Sequence, residues 1–164
     1  MLLIIYFVIA IALICIDQLT KFLFFGKSFS LIGDFLWIEG SSLNTGAAGG
    51  MFAGQMWLFI TLAVVGIGCA LFFLITKKYS NSIFFKVTLA TLLAGIIGNL
   101  IDHIFYGGVR DFIYFKSINF YIFNFADIYL TIGAICLCVY ILFLHKDAPL
   151  KRQEKVKIEK EENE

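Results

Sequence analysis

The sequence predicts an all-α integral membrane protein with four transmembrane helices. The 164-residue chain is 60% hydrophobic and only 15% charged, whereas soluble domains are about half apolar and about a quarter charged. Its apolar residues are gathered into four runs, each long enough to cross a hydrocarbon core of roughly 30 Å as a helix. Within one domain, 1–145, we expect these helices at about 2–25, 57–76, 83–106 and 124–144.

The charge distribution and the cysteine content narrow the class of protein further. Residues 146–164 hold six basic and six acidic residues, which predicts a solvated, charged cytoplasmic tail. The net charge of +1 offers no basic surface to a nucleic acid, so no such partner is expected. The four cysteines lie inside apolar runs, where a thiol behaves as a small apolar group. We therefore expect neither a disulfide nor a metal site, and no cofactor.

The first apolar run ends in a charged turn. Asp17 and Lys21 are four residues apart and share one helix face, in the favourable order of acid before base. A carboxylate inside a bilayer costs about 3 kcal/mol to insert. The pair is therefore either functional or a structural ion pair that marks the membrane boundary, and the residues alone leave both explanations open.

The first connection, residues 26–55, is polar and rich in small residues. Its segment 35–39 reads Phe-Leu-Trp-Ile-Glu and favours a short strand. The stretch 43–52 follows, with Asn44 and Gly46 among small residues that let a backbone approach another backbone or a ligand closely. This stretch is not a phosphate-binding loop, because no Gly-Lys-Ser/Thr follows it.

The third run carries a stripe of small residues that leads to an acid. Its members recur every fourth residue, and we expect that face to look into the bundle because lipid would not tolerate the carboxylate. The stripe consists of Ala90, Ala94, Gly98 and Asp102. Asn99 and His103 flank it.

Two further acids lie at the two ends of the last connection. Asp111 follows Arg110, and Asp127 lies in the first turn of the fourth run, where a negative charge also interacts favourably with the helix dipole. Residues 112–123 between them are aromatic and β-branched, typical of an interfacial loop with local strand character. Along the fourth helix, the polar and small face is expected to continue through Thr131, Ala134 and Cys138.

The distribution of basic residues predicts the orientation. The middle connection contributes Lys77, Lys78 and Lys86, and the tail adds further basic residues next to the membrane. The positive-inside rule therefore places both termini in the cytoplasm. The polar features then converge at the outer face, and they are Asp17, the loop of Asn44, Asp102, Asp111 and Asp127.

This convergence predicts acid–base chemistry. Two carboxylates at close range cannot both ionise easily, so one keeps a proton near neutral pH. The charged one can take a proton from water while the other donates to a scissile amide, as in aspartic proteases. The alternative is a proton-coupled transporter or channel subunit, in which the same acids form a proton path. It accounts less well for their position at one end of the helices.

Five short motifs, taken together, resemble the lipoprotein signal peptidases, the type II signal peptidases of bacteria. They occur in the order of that family, from the first helix to the fourth. The motifs are Asp17-Gln18-Leu19-Thr20-Lys21, Asn44-Thr45-Gly46-Ala47-Ala48, Gly98-Asn99-Leu100-Ile101-Asp102, Val109-Arg110-Asp111-Phe112 and Phe123-Asn124-Phe125-Ala126-Asp127.

The resemblance implies an intramembrane aspartyl endopeptidase with Asp111 and Asp127 as its catalytic dyad. Its substrates would be diacylglyceryl-modified prolipoproteins, cut just before the lipidated cysteine, and peptide inhibitors of the globomycin type would bind it. It implies a multi-pass protein of the bacterial cytoplasmic (inner) membrane, in contact with membrane lipid, with a small β-rich periplasmic or extracellular cradle between helices 1 and 2. Residues implied to bind substrate or shape the site are Asp17, Lys21, Asn44, Gly46, Ala48, Asn99, Asp102, His103, Arg110, Asn124 and Ala126.

Two positions depart from the family pattern. The family usually has arginine after the acid of the third helix, where this chain has His103. The cation beside Asp102 would then be pH-dependent, or Arg110 would partly replace it. In addition, the loop reads Ala48-Gly49-Gly50-Met51 where an aromatic residue more often follows the alanines, which predicts a more flexible loop.

Overall fold

The computed structural model describes residues 2–41, 43–46, 51–76 and 82–144. The predictions for Ala48, for the Gly49-Gly50 pair and for the tail concern residues outside these ranges.

Four long helices form the bundle. They are α1 (Leu2–Phe24), α2 (Met56–Ile75), α3 (Ile83–Tyr106) and α4 (Phe125–Val139), the last extended by a π-helical turn, Tyr140–Leu144. Each is long and apolar enough to cross a membrane. The prediction of four spans is confirmed, because run length and hydropathy are local properties of the chain.

Helix α3 is the central helix, and α1, α2 and α4 all pack against it. Ala90, Ala94 and Asp102 are fully buried, so the small-residue stripe faces the bundle as expected. At Gly98 an added Cβ would lie 2.7 Å from Oδ2 of Asp17. Because that approach leaves no room for a side chain, glycine is what allows α1 to come so close to α3.

One hydrophobic cluster fills the bundle at the end away from Asp102. It joins α1, α2 and α3 to the π-helical turn, with Leu74 only 2% exposed. Its members are Tyr6, Ala10, Ala70, Leu74, Phe85, Leu89, Ala90, Leu93 and Tyr140. These contacts set the separation of the helices, and so position their other ends.

Lys86 was expected to be a loop cation, and that assignment is wrong. It lies in the first turn of α3 and is buried, and its Nζ donates to the carbonyl oxygens of Phe73 (2.5 Å), Leu74 (2.7 Å) and Thr76 (3.2 Å). It therefore satisfies carbonyl groups that the end of α2 leaves without helical partners.

The expected polar and small face of α4 is not the one that is buried. Thr131, Ala134 and Cys138 are exposed, although Thr131 is part of the lining of a cavity. The buried residues of α4 are instead Ala126, Tyr129 and Gly133. At Gly133 an added Cβ would lie 2.6 Å from the side chain of Leu92, so helix contact rather than polarity selects the inward face.

Two small antiparallel sheets lie at the other end of the bundle, where Asp102 ends the stripe. One has the order β1 (Ser28–Ile32), β2 (Leu36–Glu39) and β5 (Ile113–Phe115), and the other pairs β3 (Leu43–Asn44) with β4 (Val109–Arg110). The strand predicted at 35–39 is confirmed as β2. Its sheet is built from two connections rather than only from the one between α1 and α2, since Trp37 pairs with Tyr114 on β5.

The β3–β4 pair matters most for the site. It places Asn44 opposite Val109 and Leu43 opposite Arg110. At Gly108 an added Cβ would lie 3.0 Å from the carbonyl oxygen of Asn44. This close approach brings the first connection against the segment that carries Asp111.

Candidate active site

Asp111 and Asp127 come together through one residue, Asn124, at the start of α4. Asn124 is fully buried and caps the helix: its Oδ1 accepts from the N–H of Asp127 at 3.0 Å, while Oδ2 of Asp127 accepts from the N–H of Asn124 at 3.1 Å. This reciprocal arrangement is a capping box. The Nδ2 of Asn124 then donates to Oδ1 of Asp111 at 2.6 Å. The helix cap therefore links the two carboxylates.

Two more asparagines complete the hydrogen bonds of the carboxylates. Asn44 donates from Nδ2 to Oδ2 of Asp111 at 2.9 Å, and its own Oδ1 accepts from the N–H of Gly46 at 3.0 Å. Asn99 donates from Nδ2 to Oδ1 of Asp127 at 2.8 Å. Each of the four carboxylate oxygens thus accepts one N–H, which restricts the rotation of both side chains.

The environment of Asp111 favours its protonated form. Burial, together with the nearby carboxylate of Asp127, raises the pKa of Asp111 from the ordinary value of 3.8 to about 6. Hydrogen bonds from Asn44 and Asn124 act in the opposite direction but do not cancel this effect. A carboxyl that titrates near neutrality can exchange protons during a reaction.

A buried cluster of four charges lies beside the carboxylates. Lys21 Nζ is 2.9 Å from Oδ2 of Asp17 and 3.5 Å from Oδ2 of Asp102, and all three side chains are fully buried. Arg110 approaches Asp102 with Nη2 at 2.7 Å and Nε at 3.2 Å, and its backbone N–H donates to the same carboxylate at 2.9 Å. Two cations and two anions balance, which removes most of the cost of burying each one alone.

The same cluster connects the helices. The Oδ1 of Asp17 accepts from the N–H of Ala126 at the start of α4, at 2.9 Å. Gln18 also belongs to the cluster, because its Oε1 accepts from Nη2 of Arg110 at 2.8 Å. Sequence reasoning gave Gln18 no role. Asp17 and Lys21 therefore do not mark an exposed boundary, but lie inside the bundle and hold the first turn of α4.

His103 is not the partner of Asp102. Its ring stacks on Phe59 of α2 with centroids 5.1 Å apart and planes 4° apart. Its Nδ1 is buried and has no hydrogen-bond partner among the residues that the structure describes. Arg110 takes the position beside Asp102 that the family arginine was expected to occupy, as one of the two alternatives anticipated.

A cavity of about 670 Å³ lies next to the two carboxylates. Its walls come from α2, α3, α4 and the segment 120–123, and are largely apolar, with Asp111 and Asp127 among its few polar groups. The apolar walls include Phe59, Leu62, Ile96, Phe123, Leu130 and Ile132. Sequence reasoning did not assign Phe59 to the site, because an apolar residue in an apolar helix carries no distinguishing pattern. It did not assign residues 120–122 either, which lie in the aromatic last connection.

The described residues offer no set of donors for a metal ion. In the parts of the chain that the structure describes, no group of three His, Cys, Asp or Glu residues is arranged to hold a metal ion. Fold and site together define a membrane-embedded hydrolase of the aspartic type, with paired carboxyl groups beside an apolar cavity.

Comparison with known proteins agrees with this class. Residues 9–143 match the family profile of signal peptidase (SPase) II. The lipoprotein signal peptidase of Bacillus pumilus is 40% identical over 144 residues, covering 84% of this chain and 92% of that protein. That of Halalkalibacterium halodurans is 40% identical over 164 residues, covering 95% and 98%.

Solved structures agree as well. A bacterial membrane enzyme determined at 2.3 Å resolution superposes with a TM-score of 0.76 at 35% identity, covering 84% of this chain and 87% of that one. A second, at 1.9 Å, gives 0.74 at 35% identity. The chain belongs to the signal peptidase II family of aspartic-type membrane hydrolases. The comparisons give the transporter alternative no support.

Proposed function

We infer that this protein cleaves diacylglyceryl-modified prolipoproteins just before the lipidated cysteine, with Asp111 and Asp127 as the catalytic dyad. The observation that carries this is the pair of carboxyl groups held by Asn44, Asn99 and Asn124 beside a largely apolar cavity. A signal peptide and an acyl chain are both apolar, so a cavity of this lining suits them.

The reaction uses one proton shared by the two carboxyls. The ionised carboxylate takes a proton from water, the oxygen of that water attacks the scissile carbonyl carbon, and the protonated carboxyl donates to the carbonyl oxygen. A gem-diol results. The first carboxyl then gives its proton to the leaving nitrogen as the C–N bond breaks, while a diol hydroxyl returns a proton to the second. The dyad ends in its starting state, and no covalent intermediate forms.

The remaining polar residues support this geometry. Asp17, Lys21, Asp102 and Arg110 hold the ends of α1, α3 and α4 together through buried ion pairs. Fully buried Ala126 and buried Gly46 keep the backbone close to the carboxylates. Ala48 is assigned to the site by the family motif alone. His103 and Phe59 form part of the cavity wall that meets the substrate.

The position in the membrane follows from the charge distribution. We place both termini in the cytoplasm and the dyad near the outer face of the bacterial inner membrane. The two small sheets then lie on the outer side, where the β-rich cradle receives the extended peptide around the cleavage site. Globomycin-type peptides would compete for the same cavity.

A cleavage assay tests the function directly. Purified protein in detergent is mixed with a diacylglyceryl-modified prolipoprotein or with its unmodified twin, and the products are separated by gel shift. Only the lipidated form should be cut. Asp127→Asn should abolish cleavage, whereas Asp34→Asn, at a carboxylate that is 87% exposed, should leave it unchanged.

Either of two results would overturn this proposal. One is the absence of cleavage by well-folded wild-type protein, and the other is equal cleavage by Asp127→Asn. Proton flux measured in liposomes would then become the first experiment, because it addresses the transporter alternative.

A further inference from the structure

We propose that Lys21 is a positioning residue: it fixes the side-chain amide of Asn99, and through that amide makes Asp127 the carboxylate that stays ionised while Asp111 holds the proton. This assignment rests on the proposed function of the dyad. It adds the role of each carboxyl and the residue that decides between them.

The first step is the orientation of the amide. An asparagine amide can be turned with its oxygen or its nitrogen toward a neighbour, and the hydrogen-bond network decides which. Lys21 Nζ lies 2.9 Å from Oδ1 of Asn99. An ammonium group has donors only, so the oxygen of the amide must face Lys21. Asn124 Nδ2 adds a second donor to the same oxygen at 3.3 Å.

The second step follows from the first. With its oxygen held by Lys21, Asn99 presents Nδ2 to Oδ1 of Asp127 at 2.8 Å. If the amide turned over, its oxygen would face Asp127, and only a protonated carboxyl could then make the hydrogen bond. The held amide therefore donates to Asp127 and favours its charged form.

The third step separates Asp127 from Asp111. Asp127 lies in the first turn of α4, where it meets the positive end of the helix and accepts a backbone N–H from Asn124. The side-chain amide of Asn99 also connects Asp127 to the buried ammonium group of Lys21. Asp111 lies in a connection and, among the described residues, accepts from the neutral side chains of Asn44 and Asn124. Burial, with the carboxylate of Asp127 beside it, raises the pKa of Asp111 to about 6.

Other charges near the dyad do not override this difference. Asp17 and Lys21 face it from α1, Asp102 and His103 from α3, and Arg110 from the last connection. Tyr129 lies on α4 itself. The two anions and two cations of the buried cluster are paired with one another. What distinguishes Lys21 is that, besides Asp17, Asp102 and the carbonyl oxygen of Gly98, it contacts the amide that reaches Asp127.

A double-mutant cycle tests the proposal. The variants are Lys21→Met, Asn99→Leu and the combination, with kcat, KM and the pH profile measured on lipidated prolipoprotein. Each single change should lower kcat on the order of 100-fold with little change in KM, because the substrate is bound but the dyad is not set. Both limbs of the pH profile should move to higher pH, since the dyad loses a group that favours its charged form.

The double variant shows whether Lys21 acts through Asn99. If Lys21 acts through Asn99, the double variant should match the single variants within about twofold. If the loss of kcat in the double variant instead equals the product of the two single losses, Lys21 acts independently of Asn99. That result would overturn the proposal. So would unchanged pH limbs in Asn99→Leu. Lys116→Met is the matched control, because that lysine is exposed and contacts Asp34 and the ring of Trp37 rather than the dyad; its kinetics should equal the wild type.

Misfolding can be separated from this effect. Lys21→Met leaves Asp17 and Asp102 with one fewer cation, so the cycle is repeated with Asp17→Asn/Lys21→Met in place of Lys21→Met, which keeps the cluster neutral. A pure charge effect would disappear in that background, whereas the loss of amide orientation would remain. Wild-type cleavage and its loss in Asp127→Asn are established first. If those hold and the cycle is additive, only the role of Lys21 fails, and the proposed function stands.

Discussion

Asn124 donates a 2.6 Å hydrogen bond to Asp111, although the two residues belong to different elements. Asn124 is at the same time the N-cap of the helix that carries Asp127. The relative position of the two carboxyls is therefore set by a helix cap, which is among the most strongly preferred local structures in proteins.

The first prediction concerns this cap. Asn124→Ala should abolish cleavage, because it removes a donor to Asp111 and the capping partner of Asp127 together. The stability cost should be only about 1–2 kcal/mol, the usual value for a lost cap. Specific activity and thermal unfolding in detergent measure the two effects.

Ser82→Ala is the matched control for Asn124→Ala. Ser82 caps α3 and accepts from the N–H of Phe85 at 3.4 Å. Its loss should lower the unfolding temperature slightly while specific activity is retained. Equal loss of activity in both variants would mean that capping alone, and not the contact with Asp111, explains the result.

The second prediction is a pH dependence of stability. The pKa of Asp111 is raised in the folded protein to about 6, so folding favours its protonated form. The resulting stabilisation is fully present below the unfolded pKa near 3.8 and is lost as pH rises through about 6. Asp111→Asn cannot titrate. Its unfolding temperature relative to the wild type should therefore increase as the pH is raised from about 5 to about 8.

A constant difference between Asp111→Asn and wild type over that pH range would contradict this prediction. Asp34→Asn serves as the comparison, because Asp34 is exposed and its removal should leave the pH dependence of unfolding as it is in the wild type.

The third prediction concerns Asp102. Asp102→Asn leaves the buried cation Arg110 without its counter-charge and Lys21 with Asp17 alone, and breaking a buried pair in this way costs about 3–5 kcal/mol. We expect lower stability with partial loss of activity. Replacing both members, Asp102→Leu with Arg110→Met, should recover much of the stability, because no unpaired charge then remains between those two positions.

Full stability of Asp102→Asn with no activity at all would contradict this interpretation. Asp102 would then take part directly in the chemistry rather than in the packing of α1, α3 and the last connection. Unfolding temperature and specific activity of the same preparations distinguish the two cases.

The fourth prediction compares two glycines. At Gly98 an alanine Cβ would lie 2.7 Å from Asp17 Oδ2 and 3.1 Å from the Cβ of Ala126. Gly98→Ala should therefore cost about 1–3 kcal/mol of stability and should lower activity, because it separates α1 and α4 from α3. Thermal unfolding and cleavage rate measure both.

Gly68→Ala is the matched change on α2. An added Cβ there meets nothing within 4 Å, and alanine is favoured over glycine in a helix by about 1 kcal/mol. Stability should be unchanged or higher, with full activity. Similar losses at Gly98 and Gly68 would show that the close approach of the helices is not what the stripe provides.

Several features of the site could be read from the sequence because they are local. The periodicity of Ala90, Ala94, Gly98 and Asp102 predicts an inward face, and the structure confirms that this face is buried. Asp17 and Lys21 at a spacing of four predict an ion pair, which is present at 2.9 Å. Helical spacing alone fixes both relationships.

Other features depend on contacts between distant segments, and sequence reasoning missed or misplaced them. Strand β5 joins β2 across more than 70 residues of chain, so the sheet could not be assigned to one connection. Lys86 could not be distinguished from a loop cation until the carbonyl groups of α2 were seen around it. The inward face of α4 was misassigned, because small residues occur on both of its sides.

By itself, the sequence determined that this protein crosses a membrane four times and carries the motifs of one peptidase family, since hydropathy and motif order are properties of the chain as written. Only the tertiary structure decided how the carboxyls are held. Asn44, Asn99 and Asn124 come from three separate segments, and the partner of Asp102 is Arg110 rather than His103. Hydrogen bonds act over about 3 Å, so which donor reaches which carboxylate is settled only when the helices have packed.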